Sequence, residues 1–251
     1  MQNRDPYKLL YNNLWLYKLD KTTESMAVPV DKSEETTAKS ATPQPITNIT
    51  VTTPHEQPQP QKIDTSIDNW DTLVDNITNC TKCGLCSARK NVVIERGSRT
   101  AKWMFVGEGP GEQEDIQGKP FVGASGQLLQ KMITAMQLDP ATDVYICNVV
   151  KCRPPSNRNP EPKEIEQCKD YLFSQIELVK PQIIITLGRF AHQTLLNTTM
   201  AVGRLRLKQH FYKNIPLIVT YHPAYLLRNP SAKKDAWADL QLAMQIFKEL
   251  V

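Results

Sequence analysis

Residues 103–115 read WMFVGEGPGEQED. An apolar run passes into three glycines within five residues, and acids follow at once. A strand feeding a Gly-rich turn is the usual start of a phosphate cradle, so the fold around this turn decides its meaning. Further apolar runs lie at 144–150 (VYICNVV), 182–187 (QIIITL) and 216–221 (PLIVTY). Between them the apolar spacing changes to that of helices. Leu128, Leu129, Met132, Ile133 and Met136 form one stripe over 126–137; Ile165, Cys168, Leu172, Ile176 and Val179 form another over 162–179. Helices are also expected over 67–79, 189–196 and 233–250. Continuous apolar strands alternating with amphipathic helices predict an α/β fold: a three-layer αβα domain with a central, mostly parallel four-stranded sheet. In such sheets ligands bind beyond the carboxyl ends of the strands. Those ends carry GEGPG, Asn148, Gly188 and His222.

The chain has 251 residues, and its 18 prolines are unevenly spread. Pro43, Pro45, Pro54, Pro58 and Pro60 fall in a Thr-, Pro- and Gln-rich stretch. Residues 21–65 hold too few large apolar groups to offset the entropy of ordering, and read as a disordered linker. Residues 1–20 carry Leu9, Leu10, Leu14, Leu16 and Tyr17, a pattern for a short amphipathic helix and a candidate contact for a protein partner. The expected division is an extension over 1–65 and a folded domain over 66–251. No apolar stretch is long enough to span a membrane, and no signal-peptide pattern opens the chain, so a cytoplasmic monomer is expected. Residues 1–70 hold seven basic and nine acidic side chains, the remainder 23 and 17. A basic body with a slightly acidic tail suits a polyanionic partner.

Six cysteines in a reducing compartment point to metal or redox chemistry rather than disulfides. Cys80, Cys83 and Cys86 form CTKCGLC; Cys147 and Cys152 bound CNVVKC; Cys168 lies on the helix beyond. Two thiol pairs brought together would suit tetrahedral zinc or an iron–sulfur cluster. No second CxxC lies near the first, which disfavours an autonomous zinc module. On spacing alone, Cys86 competes with Cys80 as a ligand.

Four blocks together, GEGPGEQEDIQGKPFVGASGQLL, VYICNVVKCRPPSNRNP, PQIIITLG and YHPAYLLRNPS, resemble the family 4 uracil-DNA glycosylases, the iron–sulfur type. The resemblance runs over about residues 72–248 and leaves 1–65 outside. It implies an enzyme that flips uracil from DNA and hydrolyses its N-glycosidic bond, leaving an abasic site. It also implies a [4Fe–4S] cluster on Cys80, Cys83, Cys152 and Cys168, structural rather than electron-carrying.

The same resemblance assigns the strand ends. Glu108 would activate water and stabilise the cationic sugar; His222 would contact uracil O2 and steady the departing anion. Asn148 offers both a donor and an acceptor, as uracil O4 and N3–H require. Phe121 would stack on the base, Gly109 would let backbone approach it, and Glu114 would exclude the thymine methyl. Leu226 matches the apolar residue inserted into the vacated stack, with Arg228 beside phosphates. Lys151, Arg153 and Arg158 lie in a loop that would face DNA.

Three other readings compete. A nucleotide-binding redox protein would need GxGxxG leading into a helix, but Pro110 and the acids of EQED oppose phosphate. A non-catalytic metal- or cluster-containing nucleic-acid-binding protein would not need Glu108, Asn148 and His222 at three strand ends. A family 5 glycosylase is the closest alternative, and the pairing of Glu108 with Asn148 opposes it.

Overall fold

The computed structural model describes residues 69–250. The expected helix within 1–20, the linker and the start of the folded region at residue 66 lie outside those residues.

Chain order among the described residues is α1 (Trp70–Thr78), β1 (Arg96–Gly97), β2 (Trp103–Gly107), α2 (Glu112–Gln117), α3 (Ala124–Ala135), β3 (Val144–Asn148), α4 (Pro162–Val179), β4 (Ile183–Leu187), α5 (Arg189–Leu196), α6 (Val202–Leu205), β5 (Gln209–Tyr212), β6 (Ile215–Thr220), α7 (Pro223–Arg228) and α8 (Lys233–Leu250). The sheet order is β1-β3-β2-β4-β6-β5. The middle four strands are parallel, as expected, while β1 and β5 add antiparallel edges. The expected four strands are therefore six. β1 has only two residues, and β5 (QHFY) alternates exposed with half-buried positions. Neither contains the unbroken apolar run by which a doubly covered strand is recognised.

Strand alternation divides the core into two layers. Trp103 and Phe105 of β2, Val144 and Ile146 of β3 and Ile183 and Ile185 of β4 pack with the apolar stripes of α3, α7 and α8. Met104, Val106, Tyr145, Cys147 and Ile184 face the opposite way, towards α1, α4 and α5. Nearly every residue of the parallel strands is buried. Such a sheet must be apolar on both faces.

Local signals bound the helices. Asn69 caps α1 by accepting from the Thr72 amide at 2.8 Å. Around α4, Glu161 and Glu164 form a reciprocal capping box, Pro162 occupies the first turn and Lys180 ends the helix in the left-handed region. The run expected over 144–150 leaves the ladder after Asn148, where the amides of Val149 and Val150 turn to the carbonyls of Gly107 and Glu108.

Leu129 lies fully buried between sheet and α7 layer. Leu129→Ala should lower stability by about 2–5 kcal/mol, read as an earlier denaturant midpoint with unchanged slope.

Candidate active site

A cleft of about 470 Å³ opens at the carboxyl edge of the parallel strands, lined among others by Glu108, Gly109, Glu114, Phe121, Asn148 and His222. They come from the turn after β2, from α2 and the loop after it, and from the ends of β3 and β6. β2 stops at Gly107, directly paired with Asn148 at the last rung of β3. A Cβ on Gly107 would lie 2.4 Å from Asn148 Oδ1 and 2.6 Å from the Phe121 ring, so only glycine permits this convergence. Gly109 is pressed against Val150 in the same way.

After Gly111 the chain enters α2, whose first turn carries Glu112, Glu114 and Asp115. A helix thus follows the Gly-rich turn, and the acids of its first turn make the turn unsuited to phosphate. Asp115 is buried and accepts the amides of Lys90 and Asn91 at 2.9 and 3.2 Å. Glu114 Oε1 accepts the amides of Val122 and Gly123, both at 2.9 Å. It therefore braces the loop bearing Phe121 as well as lining the cleft. Phe121 has φ +56°, a left-handed conformation costing roughly 1–2 kcal/mol for a non-glycine residue. Glu114 on one side and Arg96, which donates to the Phe121 carbonyl at 2.7 Å, hold it there. The Phe121 and His222 rings stand 5.6 Å apart between centroids.

Asn148 is 2 % exposed. Its Oδ1 is the only buried side-chain polar atom without a hydrogen-bond partner among the described residues. Buried polar atoms are otherwise almost always paired, so this acceptor is set for a ligand donor.

His222 caps α7, its Nδ1 accepting the Ala224 amide at 3.1 Å. Nδ1 is thereby the acceptor nitrogen, and the neutral ring carries its proton on Nε2. Burial, and secondarily the charge of Arg228, lower its pKa to about 4. The ring is an uncharged donor at neutral pH. Gly188, with φ +84°, admits it: a Cβ there would lie 2.9 Å from His222 Cβ. Glu108 moves the other way. Burial raises its pKa to about 7, opposed by the positive charge of Arg189. No sequence pattern had marked Arg189, because its influence depends on the meeting of β2 and β4 ends.

The expected DNA-facing residues divide. Arg228 is exposed at the cleft. Leu226 is not available for insertion: it has no exposed surface and packs in the core with α3. Helix α7 turns Tyr225 (39 % exposed) and Leu227 (43 %) outward instead. Lys151 is 1 % exposed and points inward. Arg153 donates to Asn157 Oδ1 at 2.7 Å, and Arg158 grips Glu164 with two bonds of 2.9 and 2.7 Å. Both arginines stiffen their loop.

A second cavity is lined by Cys80, Cys83, Cys86, Cys152 and Cys168, with Arg89 at its wall. All six cysteines are free thiols. Arg89 clamps the site, donating to Cys152 Sγ at 3.1 Å, the Cys80 carbonyl at 3.0 Å and the Thr78 carbonyl at 2.9 Å. Burial raises the thiol pKa values of Cys83, Cys152 and Cys168, the last to about 11. Cys147 lies elsewhere, buried in β3. Among the described residues no three Cys, His, Asp or Glu side chains converge as the donors of a single metal ion do. Five thiols from three separate segments around one cavity offer more sulfur donors than a single tetrahedral ion takes.

The family model for the uracil DNA glycosylase superfamily matches residues 94–241. The chain is 40 % identical over 183 residues to the type-4 uracil-DNA glycosylase of Archaeoglobus fulgidus, covering 70 % of this chain and 92 % of that protein. It is 46 % identical over 176 residues to that of Saccharolobus solfataricus (67 % and 82 %), and 38 % over 179 to that of Thermotoga maritima (70 % and 93 %). An orphan amide oxygen in one cleft with an acid and an imidazole at the strand ends agrees with this likeness, and the chain belongs to the uracil-DNA glycosylase superfamily.

Proposed function

We propose that this chain is a monofunctional uracil-DNA glycosylase, and that the observation carrying the reading is the unpartnered Asn148 Oδ1 in the same cleft as His222 and Glu108. Uracil flipped from DNA would stack on Phe121. Asn148 Oδ1 accepts from N3–H, and its NH₂ donates to O4. Cytosine, with an acceptor at N3 and a donor at C4, opposes both bonds. The Nε2–H of His222 donates to O2. As the N1–C1′ bond breaks, its electron pair moves into the uracil ring, where the His222 donor stabilises it. The ionised Glu108 faces the cationic sugar, orients water towards C1′ and takes its proton. Glu114 maintains Phe121 in place and narrows the cleft where a thymine methyl would project.

The cysteine cavity fits a [4Fe–4S] cluster on Cys80, Cys83, Cys152 and Cys168. The gathering of these thiols around one cavity, and the Arg89 donor aimed at Cys152 Sγ, support that donor set. When bound, the cluster supplies a covalent cross-link between the α1–β1 segment, the loop after β3 and α4. Six free thiols suit a reducing, cytoplasmic setting. Among the described residues no helix is long and apolar enough to cross a membrane. The partner is uracil-containing DNA, met by Arg228 and by the loop that Arg153 and Arg158 hold, with the protein acting as a monomer. Residues 1–20 remain a candidate docking segment for another protein.

Glu108 must lose a proton to serve. Its ionised fraction grows as pH rises through about 7, while His222 stays neutral above about 4. On U-containing oligonucleotides, kcat/KM should climb about tenfold per pH unit below 7 and level above it. Glu108→Gln should abolish that limb and lower kcat by about 10²–10⁴, with uracil binding retained; a pH profile unchanged in the variant would remove Glu108 from the chemistry.

Leu227→Ala should impair cleavage in duplex DNA more than in single strands, because only a duplex leaves a gap to fill. Leu226→Ala should chiefly reduce thermal stability. The reverse pattern would return the wedge to Leu226.

Cys80→Ser should lose the brown iron–sulfur absorbance, whereas Cys86→Ser should keep it. A colourless Cys86→Ser protein beside a brown Cys80→Ser protein would exchange the two ligands.

A further inference from the structure

Lys151 is a buried ammonium with no counter-ion. It is 1 % exposed, and its Nζ donates to the backbone carbonyl of Asn148 at 2.6 Å and to Gln175 Oε1 at 2.5 Å. Both acceptors are neutral. Among the described residues no carboxylate forms an ion pair with it. An uncompensated buried charge costs several kcal/mol or more, so a fold that retains one provides negative charge nearby. The neighbours that could supply it are sulfurs. Lys151 lines the same cavity as Cys80, Cys83, Cys152 and Cys168. Cys152 is the next residue in the chain. Thiolates holding a cluster carry net negative charge into that cavity.

The same ammonium holds a residue of the uracil cleft, since Asn148 lines that cleft. Asn148 presents the orphan Oδ1, and its own carbonyl is the atom that Lys151 holds. Gln175 anchors the lysine in turn, through its donation to Tyr145 OH at 2.8 Å and to the Ile94 carbonyl at 3.1 Å. The Asn148 peptide is thus held by a cation that also borders the cysteine cavity.

Resting on the glycosylase reading above, we propose that Lys151 is a positioning residue joining the two sites: it balances the charge of the thiolate-bound cluster and fixes Asn148 for uracil recognition. The cluster is then required for base recognition and not only for the fold of a loop. A residue that orients Asn148 acts on uracil in the ground and transition states alike, so its loss appears in KM rather than kcat.

Wild-type protein is measured first; if it is colourless or releases no uracil, the underlying reading fails, whatever Lys151 does. In a brown, active preparation, Lys151→Met is then compared with wild type after circular dichroism confirms its fold. The variant should lose its absorbance to a chelator about tenfold faster, the scale expected when a group supporting metal ligands is removed. Its KM for U-containing oligonucleotide should rise about tenfold with kcat changed by no more than about twofold. If either the cluster lifetime or KM is unchanged, or if kcat alone falls, the coupling is overturned. Should the variant fail to fold, wild-type protein stripped slowly by chelator decides the matter. Binding of free uracil must then decline in step with the absorbance while helical signal remains. Affinity that outlasts the cluster, or that disappears only with global unfolding, overturns the proposal.

Discussion

The last rung of the β2–β3 ladder sets the site. Gly107 lies opposite Asn148, and the absence of a side chain at Gly107 lets the Asn148 amide and the Phe121 ring share one small volume. From that rung the chain leaves in two directions. One passes Glu108 into the acidic α2, whose Glu114 braces Phe121. The other passes Val149 and Val150, still bonded to the Gly107 and Glu108 carbonyls, to Lys151 and Cys152. The Asn148 amide, the Glu108 carboxylate and the cysteine cavity therefore all originate within a few residues of one backbone contact.

Burial does the electrostatic work in the cleft. The same low-dielectric surroundings raise the pKa of Glu108 and lower that of His222. Both groups are driven towards neutrality, by opposite proton movements. A neutral imidazole suits a base that becomes an anion, since it donates a hydrogen bond without first binding the anion as a permanent counter-ion. A carboxylate poised near neutral pH can both ionise and accept a proton. The charges of Arg189 and Arg228 bear on Glu108 and His222 respectively.

Much of this was legible in the chain. The apolar run 103–107 matched β2, and the expected spans 162–179, 189–196 and 233–250 matched α4, α5 and α8. Central parallel strands must be apolar on both faces, so their pattern is continuous and cannot be mistaken for solvent-facing structure. Edge strands bear no such requirement, and β1 and β5 passed unseen. The short helices α2, α6 and α7 also escaped, because four to six residues show less than two turns of periodicity. For α7 this mattered: without its rotational phase, Leu226 and Leu227 could not be told apart. The cysteines were a similar case, as spacing left Cys80 and Cys86 equivalent and both line the same cavity.

By itself, the sequence determined the α/β class, the helical and parallel-strand segments, and the set of chemical groups at the strand ends. These follow from local periodicity and residue type, which any stretch of chain carries with it. Tertiary structure alone decided that Asn148 Oδ1 is left without a partner, that Lys151 points inward, that Leu226 is core, and that Glu108 and His222 shift in opposite directions. Each depends on what distant segments place beside a group and how much water they remove from it, and neither quantity is written in the spacing of residues.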